Sequence, residues 1–86
     1  MIKLNNRYIL GTLDKQIIDA DYIDVRYSPK FREEGQDGYT PEYYHICLKH
    51  SSGDATIKAD GQTYSTEAEA LTALDAFIIS LGFTLP

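Results

Sequence analysis

Tryptophan is absent from this chain of 86 residues, and cysteine and methionine occur once each. The lone Cys47 excludes an intrachain disulfide. A reducing, intracellular and cytoplasmic setting is the expectation that follows. No apolar run approaches the ~20 residues that cross a bilayer, so a membrane is not an expected partner. Met1-Ile2-Lys3-Leu4-Asn5 leads into no apolar segment, so no secretory leader is expected. There is no P-loop glycine-lysine motif and no GxGxxG, which leaves no phosphate cradle to place.

Basic charge is also in short supply. Eight Lys and Arg face thirteen Asp and Glu, for a formal net charge of −5. A general nucleic-acid binder needs a basic surface to displace counterions, so nucleic acid is not the expected partner. The imbalance is uneven along the chain. Lys3, Arg7 and Lys15 lie near the start, whereas residues 59–86 carry Asp60, Glu67, Glu69 and Asp75 and no base. That polarity points to a protein partner.

What is present reads as one small α+β domain over residues 1–86. Hydrophobic residues make up 43% of the chain, enough for a single modest core. Seven tyrosines supply apolar area with a polar tip, suited to half-buried sheet faces and interfaces. Residues 2–4 and 8–10 are short strand candidates around Asn5-Asn6, a pair that tolerates the positive φ of a tight turn. Residues 11–15 read as a turn, and Ile17-Ile18 as the start of an extended stretch. Over 22–27 the residues alternate: Ile23, Val25 and Tyr27 on one face, Tyr22, Asp24 and Arg26 on the other. Over 43–50, Tyr44, Ile46 and Leu48 oppose Tyr43, His45, Cys47 and Lys49. A return strand follows over 55–59 with Ile57 inward, and 62–64 is a further strand candidate.

The clearest local text is the helix over about 66–81. Thr66 and Glu69 fit a capping box, and Gly82 suits the left-handed position that ends a helix, with Phe83 folding back onto Ile78. Leu71, Leu74, Phe77 and Ile78 form its apolar stripe. The expected architecture is therefore an antiparallel sheet of three to five strands with one C-terminal helix on one face.

Residues 28–42 break the pattern. Two prolines, two glycines and six charged residues in this span read as a long polar loop. Phe31, Arg32, Tyr39 and the following Tyr43 are residue types enriched at interface hot spots. Together with Glu33 and Glu34 they form the expected partner-binding set.

Catalytic and metal chemistry find little to stand on. His45 and Cys47 share a face, but His50 falls on the other, short of a closed zinc site. Asp19, Asp21 and Asp24 lack the Gly and Glu of a calcium loop. No enzyme activity, cofactor or metal is expected. The expected function is a small acidic protein-binding module, of the kind encoded by phages or mobile elements to inhibit a host protein, including by mimicry of nucleic acid. A second copy of the chain is a further candidate partner, through the loop or the exposed helix face around Ile79. The alternative is a small nucleic-acid-binding sheet with a local basic patch drawn from Tyr22, Arg26, Tyr43, His45 and Lys49.

Overall fold

The computed structural model describes residues 1–53 and 57–86. Five strands run in chain order across one antiparallel sheet: β1 (Ile2–Leu4), β2 (Arg7–Ile9), β3 (Tyr22–Ser28), β4 (Tyr43–Lys49) and β5 (Ile57–Lys58). A single helix, α1 (Glu67–Ser80), follows and packs on one face. The Asn5-Asn6 turn joins β1 to β2, with Asn5 at φ 47°. Asn6 then extends the pairing sideways: its carbonyl accepts from the Val25 amide at 2.9 Å, and its side-chain amide donates to the Val25 carbonyl at 3.0 Å.

The β3–β4 ladder is the spine of the sheet. Its seven pairs run from Tyr22 opposite Lys49 to Ser28 opposite Tyr43. This register puts Ile23, Val25, Ile46 and Leu48 on one face, and α1 covers them with Ala70, Leu74 and Ile78. Tyr8 and Leu10 join the same core from β2 and its end. Leu71 and Phe77, expected within the stripe, are half-buried at its margins. The inward position expected of Ile57 and the strand residues 54–56 lie outside the described side chains.

Polar links fasten the helix to the sheet. The Tyr8 hydroxyl, at the end of a ring that is only 1% exposed, donates to Asp75 on α1. Lys3 reaches the same carboxylate at 3.1 Å. The two donors hold the Asp75 carboxyl below its usual range, the tyrosine hydrogen bond contributing most.

The helix ends follow backbone chemistry. Thr66 Oγ1 accepts from the Glu69 amide at 3.2 Å, the capping half of the expected box. The reciprocal half differs: the Glu69 carboxylate meets the Ser65 hydroxyl at 3.5 Å. At the other end the Gly82 amide bonds Ile79 and the Phe83 amide bonds Ile78, with Gly82 at φ 97°. That is a Schellman closure, and it sets Phe83 against the core beside Ile78.

One segment departs from the sequence reading. Ile17-Ile18 is not extended. A 3₁₀ turn over Asp14–Gln16 runs into it, and the Ile17 amide bonds the Asp14 carbonyl at 3.0 Å. The Asp14 carboxylate accepts from the Gly11 amide at 2.8 Å, which tightens the turn. Beyond Ser28, residues 29–42 hold one isolated bridge and no strand. The bridge keeps this long loop, an arm, in the β3–β4 register: three positions beyond the final ladder pair, Phe31 and Thr40 bond each other at 3.1 and 2.7 Å. Pro29 and Pro41 lie in the gap, where neither offers an amide, so the ladder lapses and then resumes.

Leu74 has no exposed surface and lies at the centre of the helix–sheet contact. Leu74→Ala should cost on the order of 2–5 kcal/mol in a chemical denaturation experiment. Stability equal to that of the parent chain would contradict this packing.

Candidate binding surfaces

One helix covers one side of the sheet, and among the described residues no layer covers the other side. Register assigns that open face Arg7 and Ile9 from β2, Tyr22, Asp24 and Arg26 from β3, Tyr43, His45, Cys47 and Lys49 from β4, and Lys58 from β5. Ile2 and Leu4, 61% and 51% exposed, add an apolar margin on β1.

The floor of the face is dry. Cys47 has no exposed surface and Asp24, directly opposite it, is only 2% exposed. A buried carboxylate is costly unless it is paired. Here Arg7 reaches Asp24 Oδ2 at 3.0 Å, and Arg26 Nε lies 3.7 Å from Oδ1. Burial, reinforced by the Asp24 charge, pushes the Cys47 thiol up to about 11. A thiol held in that form is a poor nucleophile.

Above the floor, cations and rings alternate. The Arg7 guanidinium lies over the Tyr22 ring at 4.5 Å, and the Lys58 ammonium over Tyr43 at 5.1 Å. His45 packs against Tyr43 with ring centroids 5.5 Å apart. Burial, followed by the nearby Lys58 and Arg26, lowers the His45 pKa, so the imidazole is neutral at pH 7. Its buried Nδ1 and the Asp24 Oδ1 beneath have no hydrogen-bond partner among the described residues. The other lysines of the globular part lie elsewhere: Lys3 on Asp75 and Lys15 on Asp21.

The arm is the second surface. The Gln36 side chain braces it from within, accepting from the Glu33 amide at 3.1 Å and donating to Thr40 at 3.3 Å. Gly35 turns the tip at φ 82°. Tyr27 on the last stretch of β3 donates to Glu42 across the base of the arm. Phe31 is 41% exposed and Tyr39 61% exposed, with Lys30 lying 4.6 Å from the Tyr39 ring centre.

The residues selected from sequence therefore divide. Phe31, Arg32, Glu33, Glu34 and Tyr39 belong to the exposed arm, whereas Tyr43 belongs to the sheet and is half-buried under Lys58. Asp24 and Arg7 were missed as a pair. Asp24 and Arg26 two apart on one strand were visible, but Arg7 joins them only because β2 lies beside β3. Among the described residues there is no enclosed cavity and no cluster of three metal-ligating side chains. No helix among them is long and apolar enough to cross a membrane. Comparison with protein-family models, with curated proteins and with solved structures finds no match to the chain.

Cys47 should react with a thiol reagent such as Ellman's reagent only after unfolding. Its burial and raised pKa both withhold the thiolate. Rapid labelling of the native protein at neutral pH would show that the floor of the open face is accessible.

Proposed function

We propose that the chain is a non-enzymatic protein-binding module and that the arm over residues 28–42 is its principal contact surface. The observation that carries this is the exposure of Phe31 and Tyr39 on an arm ordered by its own hydrogen bonds. Neither ring contributes to the core, and large aromatic side chains left in water on a braced support are suited to a partner's pocket. An arm already shaped before binding loses less conformational entropy on contact. Arg32, Glu33 and Glu34 are exposed around the rings and set the polar rim.

The extended shape supports the same reading. The protein measures 47 × 27 × 19 Å. Continuing the ladder through the arm makes about 12 residues per strand, or roughly 40 Å at ~3.3 Å each, which accounts for the long axis. A projecting arm of this kind inhibits by occlusion, as an inhibitor of a host protein would. The single buried Cys47 suits a reducing compartment. Mimicry of nucleic acid draws less support. Asp14, Asp21 and Asp75 are engaged by the terminal amine, Lys15 and Lys3, Asp24 is buried under Arg7, and Glu33, Glu34 and Asp37 on the arm are separate in the chain from Glu67 and Glu69 on the helix.

The test is to replace residues 29–42 by a short Gly/Ser turn, with Phe31→Ala and Tyr39→Ala together as a milder variant. The shortened chain should keep its far-ultraviolet spectrum and cooperative melting, because the core lies outside the arm. Both variants should fail to retain the partner that the parent chain captures from its native host, identified by mass spectrometry. Retention of the same partner at the same level by both would mean that the arm is not the contact surface.

A further inference from the structure

We infer that the open sheet face, a surface separate from the arm, binds single-stranded nucleic acid. The chain is acidic overall, yet folding sorts its charge. Arg7, Arg26, Lys49 and Lys58 all stand on this one face. The carboxylate on its floor, Asp24, is buried beneath Arg7 and Arg26, and Asp60 at its edge is taken up by the Tyr64 hydroxyl and the Gln62 amide. Among the described residues no acid pairs with Lys49 or Lys58. The bulk of the negative charge lies on α1, the arm tip and the turn around Asp14. At physiological salt a charge is screened beyond ~8 Å, so a ligand on this face responds to the local cations rather than to the net charge.

The rings decide between polyanions. Tyr22 and Tyr43 stand on the same sheet face as the cations, each with a cation over its ring. Same-face positions along a strand are ~7 Å apart and those on neighbouring strands ~5 Å apart, so each ring has cations beside it, while Tyr22 and Tyr43 mark opposite ends of the ladder, ~20 Å apart. A single strand offers phosphates to the cations and unstacked bases to the rings, the combination that sequence-tolerant single-strand binders use. A duplex keeps its bases stacked inside and engages only the cations. An acidic peptide likewise leaves both rings without a partner.

The experiment is fluorescence anisotropy of the full chain with a labelled single-stranded pyrimidine oligonucleotide of about 12 nucleotides. Binding should be measurable at about 50 mM salt and fall with a log–log slope of about −2, as for roughly three phosphate contacts at ~0.7 each. Lys49→Glu with Lys58→Glu should weaken it by more than about tenfold, since two cation contacts become repulsive. Tyr43→Leu should weaken it by about tenfold with little change in the salt slope, the signature of lost stacking. Circular dichroism and melting of each variant establish that it is folded. Arg7 and Arg26 are left intact because Asp24 depends on them. The arm-replaced chain should bind the oligonucleotide as the parent does, so this proposal and the arm proposal fail separately. Absence of salt-sensitive binding at about 50 mM, or binding unchanged in the double lysine variant, would overturn the inference. So would equal affinity for the corresponding duplex, or equal competition by poly-glutamate.

Discussion

A five-stranded sheet has two faces, and among the described residues one α-helix is there to cover them. Much of the structure follows from that inequality. On the covered side the solution is ordinary packing, with Ala70, Leu74 and Ile78 set against Ile23, Val25 and Ile46. On the open side a row of exposed aliphatic side chains would invite association through the sheet. The chain confines aliphatic side chains there to Ile2, Leu4 and Ile9 at the β1–β2 margin, and over the centre places long cationic and aromatic side chains that cover Cys47 and Asp24. Asp24 is the keystone of this arrangement. Its single negative charge lies between two guanidiniums at the sheet centre and holds Arg7 and Arg26 down over the floor.

The same constraint sorts the charge. Bases that shield the open face cannot also lie on the helix, and α1 accordingly carries Glu67, Glu69 and Asp75 with no base. The acidic side is partly spent in holding the fold together through the Asp75 contacts with Tyr8 and Lys3. The basic side is held by one buried carboxylate and otherwise faces water. A net charge of −5 therefore describes the molecule poorly at the scale of a binding surface, where screening leaves only the near charges to act.

Elements governed by local chemistry could be read from the chain. The Thr66 cap, the Gly82 closure, the Asn5 turn and the alternation of β3 and β4 each depend on residues within a few positions, and the α+β architecture followed from them. Features set by the lateral order of strands could not. Arg7 meets Asp24 because β2 lies beside β3, and nothing near Arg7 in the chain announces it. The loop over residues 28–42 was legible from its prolines and glycines, but not the Phe31–Thr40 bridge that holds it in the β3–β4 register. Ile17 and Ile18 carried a strand-like composition that the Asp14 turn overrode. Phe31 and Tyr39 were legible as candidates, as were Tyr22, Arg26, Tyr43, His45 and Lys49 of the basic face, whereas Arg7 and Lys58 join that face only when four strands are set side by side.

The central claim about the sheet is that its open side offers a contact surface of its own beside the arm, while the acidic helix side is occupied with holding the fold. It is tested most directly by the amide NMR spectrum of the isotope-labelled chain as single-stranded pyrimidine oligonucleotide is added. The account predicts shifts concentrated at Tyr22, Arg26, Tyr43, His45, Lys49 and Lys58, with the amides of Glu67–Ser80 unmoved. Shifts centred on the outer face of the helix around Glu69 and Ile79, or no shifts at all at low salt, would contradict it.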